Sequence, residues 1–169
     1  MEKVCLSCGN HYDAQSQNCP KCFNGNAYMS APFNDAESLL DVWSRTDEAY
    51  QHVQIAESLI SGGQYELAKK ELNTAISIDP NYDFSYATMG MLYVGQKKYQ
   101  EAIPWFQKVL ELQPRECKGI TEILALILVG YQRVDEAIEI LDRKLHFCPG
   151  DPHAQETLDY IINRDLEKD

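Results

Sequence analysis

The sequence predicts an all-α fold, a solenoid of three repeated helix pairs with a small cysteine-rich module before it and a capping helix after it. The main observation is a period, since one alanine and one proline each recur at intervals of 34 and 35 residues. The alanines are Ala68, Ala102 and Ala137, and the prolines are Pro80, Pro114 and Pro149. Apolar residues at helical spacing surround each alanine, and such periods indicate stacked helical units.

Composition and charge restrict the classes of function. The chain has 169 residues, of which 44% are hydrophobic, so it can bury a core. Its net charge is −11, and residues 1–33 are neutral, so the remainder carries the whole excess. An acidic body repels phosphates and anionic lipid, so we expect neither nucleic-acid binding nor membrane insertion. Basic partners fit this charge, although it also serves solubility. The N-terminus lacks the apolar run of a secretory signal, which predicts a cytoplasmic protein.

The first module is predicted over residues 1–25 from the stretch "CLSCGNHYDAQSQNCPKC". Cys5 and Cys8 form one C-x2-C pair, and Cys19 and Cys22 form the other. Two such pairs deliver four thiolates to the corners of a tetrahedron, which suits one Zn²⁺ ion. The spacing resembles that of short zinc ribbons. A site of four thiolates has no open position, so the zinc is expected to be structural, and iron would use the same four sulfurs.

Other roles for the cysteines remain open at this stage. A zinc-thiolate redox sensor would use the same residues, because oxidation of the thiolates releases the metal. A disulfide-linked microdomain would need a secreted protein. Cys117 and Cys148 lie outside the module. We expect them to be small apolar residues beside repeat turns, with a thiol pair as the alternative.

Residues 26–47 are predicted to be a linker followed by an N-terminal capping helix. The stretch "NDAESLLDVW" (34–43) begins with Asn34 and Asp35, which are good helix caps. Its apolar residues Leu39, Leu40 and Trp43 are available to cover the first repeat.

Residues 48–149 are predicted to form three helix pairs. The second helices are "YELAKKELNTAISIDP" (65–80), "YQEAIPWFQKVLELQP" (99–114) and "VDEAIEILDRKLHFCP" (134–149). The first helix of the middle pair reads Tyr86-x2-Met89-Gly90-x2-Tyr93, and residues 52–59 and 121–128 follow the same pattern. This resembles the tetratricopeptide repeat, with the pattern W-x2-L-G-x2-Y, A-x3-F and P. Tyr86 stands where that family has Trp.

The ends of the helices and the end of the solenoid have their own signals. Gly62-Gly63, Gly95 and Gly130 are expected to close the first helices, and the three recurring prolines to stop the second ones. Residues 150–169 are predicted to be a C-terminal capping helix, with Leu158, Ile161 and Ile162 on its apolar face.

The sequence contains no motif typical of an enzyme. It has no G-x-S-x-G, no glycine-rich phosphate loop and no H-E-x-x-H, so we expect a non-enzymatic protein. The resemblance implies instead that the first helices line a groove that binds peptides or helices. One stripe of each first helix is not used by the core pattern, and it is mostly apolar. Its members are Tyr50, Val53, Glu57, Ile60, Phe84, Ala87, Met91, Val94, Gly119, Glu122, Leu126 and Val129.

These features predict an interaction adaptor that binds an apolar peptide or helix with basic flanks. Residues of the chain itself, or a second copy in a homodimer, are alternative occupants of the groove. The groove lacks the Lys and Asn set with which one subgroup of the family clamps a C-terminal carboxylate. A bacterial secretion or substrate chaperone is a further alternative, since length, charge and repeat number resemble that class.

Overall fold

The structure is a computed structural model that describes residues 2–4, 11–13, 36–113 and 119–166. The chain divides into two compact units, Met1–Leu40 and Asp41–Asp169. In the first unit, strands β1 (Glu2–Val4) and β2 (His11–Asp13) pair antiparallel, with Val4 opposite His11. Cys5, Cys8, Cys19 and Cys22 lie outside the described residues.

Seven helices are present in the described part of the chain. They are α1 (Ala36–Ser61), α2 (Tyr65–Ile78), α3 (Asp83–Gly95), α4 (Tyr99–Leu112), α5 (Ile120–Gly130), α6 (Val134–Phe147) and α7 (Pro152–Leu166). In the second unit α2, α3, α4, α5 and α6 each pack against the helix that follows, and α5 also contacts α7. The predicted all-α solenoid is confirmed for this part of the chain.

The predicted helix pairs begin and end close to the expected residues. Helices α2, α4 and α6 each end two residues before a recurring proline. One difference is at the start, where α1 continues without a break through the predicted capping helix and the first helix of the first repeat. Residues 36–61 contain no glycine or proline, so no local signal ends the helix there.

The turns within the pairs differ from the prediction in one respect. Gly95 and Gly130 are the last residues of their helices and do not have positive φ. The left-handed backbone instead lies at the equivalent positions Gly63, Lys97 and Gln132, with φ of 72°, 60° and 61°. Glycine is therefore used for its conformational freedom only in the first of these three turns.

The core consists of two clusters of buried side chains. The first joins α1, α2 and α3, and the second joins α4, α5, α6 and α7. In the middle repeat, Gly90 gives space to the ring of the fully buried Phe106, since a Cβ at Gly90 would lie 2.5 Å from that ring. Trp105 packs between Tyr86 and Tyr93, with ring centroids 6.3 Å apart in both pairs. Tyr86, in place of the family's Trp, donates a hydrogen bond to the carbonyl oxygen of Pro80 over 2.9 Å.

Candidate peptide-binding face

The first helices of the repeats carry exposed apolar side chains at equivalent positions. Tyr50 on α1 is 47% exposed, Phe84 and Met91 on α3 are each 42% exposed, and Leu126 on α5 is 48% exposed. Glu57, one of the two predicted carboxylates, is also exposed on α1. These five residues of the predicted stripe are accessible, and we call them the apolar face.

Other residues of the stripe are not accessible. Val53 is 2% exposed and belongs to the first core cluster, and Glu122 is 7% exposed. Val94 is half-buried and packs against the second cluster. The predicted stripe therefore includes more residues than the accessible surface does, because neighbouring helices cover some of its members.

The buried Glu122 belongs to an ion-pair network. Its Oε1 accepts a hydrogen bond from Lys144 Nζ over 2.6 Å, and the same Nζ lies 3.3 Å from Asp151 Oδ2. Lys144 is only 4% exposed, so its charge is compensated by these two carboxylates rather than by water. The network joins the start of α5, the end of α6 and the residue before α7.

Asp151 has a second role at the start of α7. Its Oδ1 accepts hydrogen bonds from the backbone N–H groups of His153 and Ala154, which caps the helix. Burial of the carboxyl raises its pKa. This effect is outweighed by the hydrogen bond from the N–H of Ala154, by the charge and hydrogen bond of Lys144, and by the hydrogen bond from the N–H of His153. The pKa of Asp151 is therefore lowered from its usual value.

The sequence contains a signal for this network that the apolar stripe does not reveal. Lys144 occupies the position at which the other two repeats have Ala75 and Val109, and those two residues are buried. Glu122 occupies the position of Val53 and Ala87. Both positions are apolar in the other repeats but carry opposite charges in the third. This pattern predicts that Glu122 and Lys144 pair with each other.

Aromatic and acidic groups also meet where α1 and α3 adjoin. The rings of Tyr82 and Phe84 stack with centroids 5.7 Å apart. Burial is the main cause that raises the pKa of Tyr82 to about 12, and the neighbouring Asp83, Tyr50 and Glu57 contribute to the shift. The Tyr82 hydroxyl therefore stays protonated at neutral pH.

A cleft of about 380 Å³ adjoins Leu126, between α5 and α7. Its other lining residues, Glu156, Thr157 and Tyr160, all belong to α7. Tyr160 is 53% exposed and extends the apolar face beyond the repeats. The sequence predicted α7 only as a cap, so its part in this surface was not foreseen.

Cys148, directly after α6, is disulfide-bonded, which agrees with the alternative of a thiol pair rather than with a packing role. Cys117 lies outside the described residues. Within the described ranges, no cluster of three or more His, Cys, Asp or Glu side chains is arranged to bind a metal. Nor do these ranges include a helix long and apolar enough to cross a membrane.

Comparisons with known proteins agree with the helix pairs. Models of the tetratricopeptide repeat family match residues 52–82 and 84–116. The chain is 38% identical, over 50 residues, to small glutamine-rich tetratricopeptide repeat-containing protein 2 of Saccharomyces cerevisiae. That match covers 30% of this chain and only 14% of the yeast protein.

Solved structures with the same fold cover most of this chain. The type III secretion translocator chaperone SycD of Yersinia enterocolitica superposes with a TM-score of 0.61 at 17% identity, over 70% of this chain and 95% of its own. The first tetratricopeptide domain of Spaghetti (RPAP3), bound to an HSP90 peptide, superposes with a TM-score of 0.62 at 17% identity, over 72% and 95%. Residues 52–82 and 84–116 of this chain are therefore tetratricopeptide repeats.

Proposed function

We propose that this protein is an interaction module that binds a peptide or a helix of another protein on its apolar face. The observation that carries the proposal is the exposure of Tyr50, Phe84, Met91 and Leu126 on three successive first helices. Large apolar side chains that are exposed in register on several elements mark a binding surface more often than a free one. The peptide complexes of proteins with the same fold support the proposal.

The chemistry of the face favours a partner with apolar and basic side chains. The carboxylate of Glu57 lies on the face, and Glu156 borders its far end. The HSP90 peptide of the Spaghetti (RPAP3) complex, SRMEEVD, carries acidic residues at its end. A peptide of that charge is repelled by these carboxylates, so we expect a partner of the opposite charge.

The proposal can be tested by affinity purification with face variants. Phe84→Glu and Met91→Glu place a charge in the middle of the face, and each should abolish recovery of a specific partner. Leu67→Glu is the matched control, because Leu67 is 48% exposed on α2, a second helix. Partners are identified by quantitative mass spectrometry. A partner set that is the same for all three variants contradicts the proposal.

A second candidate is a dedicated chaperone for one substrate. The similarity to SycD over 95% of its chain favours it, and SycD has been solved in complex with a peptide of the translocator YopD. Co-expression should then keep one aggregation-prone substrate soluble, and Phe84→Glu should remove that effect. A substrate whose solubility does not depend on the face excludes this candidate.

We propose in addition that Cys5, Cys8, Cys19 and Cys22 hold one structural zinc ion. The pairing of β1 with β2 supports it, because these strands lie directly before and after the segment with Cys5 and Cys8. Elemental analysis should find one zinc per chain, and Cys19→Ser should lower that ratio. Iron in place of zinc would appear in the same measurement. Release of the metal by mild peroxide would assign the module to redox sensing.

A further inference from the structure

The cleft between α5 and α7 combines an apolar wall with a carboxylate. Leu126 and Tyr160 are both about half exposed, and Glu156 lies beside them. An aliphatic chain can lie against Leu126 and the Tyr160 ring, while a positive charge is attracted to the carboxylate and to the face of the ring. Lysine and arginine are the side chains that offer both an aliphatic chain and a positive charge.

The charges next to this cleft do not cancel. Glu122 lies one helical turn before Leu126 on α5, so the two side chains are neighbours on one helix face. Although Glu122 is 7% exposed, its Oε2 has no hydrogen-bond donor within the described part of the chain. Its Oε1 and Asp151 share the single ammonium group of Lys144. Glu122 and Asp151 therefore share one cation, and Glu156 adds a carboxylate at the cleft itself.

Lys144 carries one positive charge against the two negative charges of Glu122 and Asp151. This excess of negative charge beside the cleft attracts a cation that lies in it.

We propose that the α5–α7 cleft binds a lysine or arginine side chain of the protein partner. The aliphatic part packs on Leu126 and Tyr160, and the charged end pairs with Glu156. This inference rests on the proposed function, since it names the side chain that the far end of the apolar face selects. It makes the cleft the specificity-determining part of the face.

The test begins with a random 12-residue peptide library displayed on phage and selected on the whole protein. Peptides bound on the apolar face, identified by loss of binding to Phe84→Glu, should be enriched in lysine or arginine next to apolar residues. Glu156→Gln should weaken the best peptide about tenfold. Asp142→Asn is the matched control, since Asp142 is an exposed carboxyl on α6 and the net charge changes equally.

Direct contact is tested by changing both partners. Replacing the selected lysine of the peptide by norleucine keeps the chain and removes the charge. This peptide should bind wild-type protein about tenfold more weakly, and Glu156→Gln should cause little further loss, as measured by calorimetry. Additive losses, or equal effects of Glu156→Gln and Asp142→Asn, overturn the inference.

The two proposals fail differently. If face-bound peptides are selected but lack lysine and arginine, the cleft proposal is wrong and the interaction module stands. If the library contains no peptide whose binding depends on Phe84, both are wrong.

Discussion

The middle and third repeats have the same pair of helices, but they fill the space between the helices differently. In the middle repeat two of the positions between the helices hold the apolar residues Ala87 and Val109, and the ring of Phe106 packs over Gly90. In the third repeat the equivalent positions hold Glu122 and Lys144, which form a buried ion pair over 2.6 Å. The period of the repeat therefore determines where the helices lie. The side chains packed between the helices can be apolar in one repeat and an ion pair in another.

The two repeats also differ in how completely their buried polar groups are paired. An apolar interior is complete in itself, whereas a buried ion pair leaves lone pairs that need further donors. Lys144 satisfies one oxygen of Glu122 and one carboxylate oxygen of Asp151, and the other Glu122 oxygen stays unpaired.

The largest effect is expected from breaking the ion pair on one side. Lys144→Met leaves the Glu122 carboxylate buried without its cation and should lower the free energy of unfolding by about 3–5 kcal/mol. Glu122→Leu/Lys144→Met gives the third repeat an apolar interior like that of the middle one, and should recover most of the loss. Urea denaturation measures both. A double variant as unstable as the single one would contradict this explanation.

The packing of the middle repeat is tested by Gly90→Ala. The new Cβ would lie 2.5 Å from Cε1 of Phe106, which is fully buried, so the free energy of unfolding should fall by about 1–3 kcal/mol. Gly130→Ala is the control in the third repeat, because no described atom outside its own helix and its chain neighbours lies within 4 Å of its Cβ position. That variant should be more stable by about 0.5–1 kcal/mol. Equal effects of the two variants would contradict the packing difference.

The charge of Asp151 should make the third repeat sensitive to acid. Because the pKa of Asp151 is lowered in the folded protein, its stabilising contribution is present above the unfolded pKa of about 3.9 and is lost as pH falls through the folded value. Asp151→Asn keeps a good helix cap but removes the charge facing Lys144, and should cost about 1 kcal/mol at pH 7. Thermal unfolding from pH 7 to pH 2 should show this difference disappear. A constant difference would exclude the charge as its cause.

The smallest effects are expected at the turns. Lys97→Gly in the middle repeat and Gln132→Gly in the third should each raise stability by about 1 kcal/mol or less, since both residues have left-handed backbone. Gly63→Ala, at the equivalent turn of the first repeat, should have the opposite sign. Thermal midpoints are sufficient to rank the three variants, and a loss of stability in both glycine variants would contradict this explanation.

Much of the fold could be predicted because the signals are local. A proline stops a helix wherever it lies, and the recurring prolines predicted the ends of α2, α4 and α6 to within two residues. The continuity of α1 was not predicted, because the capping helix and the first repeat were assigned to separate segments although no Gly or Pro lies between them. The cysteine module stays a prediction, because its four cysteines lie outside the described residues.

The candidate site could be predicted only in part. Tyr50, Phe84, Met91 and Leu126 are exposed as expected, but Val53 is covered by neighbouring helices and Glu122 by Lys144. Ile55, which lies in the repeat pattern of residues 52–59, is more exposed than its equivalent in the middle repeat. Its equivalent Met89 is buried in the cluster that contains α2, whereas Ile55 is 48% exposed, because among the described helices none precedes α1 to cover it.

The sequence by itself determined the period, the boundaries of the helix pairs and the identity of the residues on each helix face. These follow from backbone preferences and from spacing within a few turns. Only the tertiary structure decided which of those residues are accessible, that Lys144 bridges Glu122 and Asp151, and that α7 forms a cleft with α5. Glu122 and Lys144 are 22 residues apart, and Leu126 and Tyr160 are 34 apart, so their meeting depends on how the helices stack. Burial and charge pairing depend on neighbours that are distant along the chain.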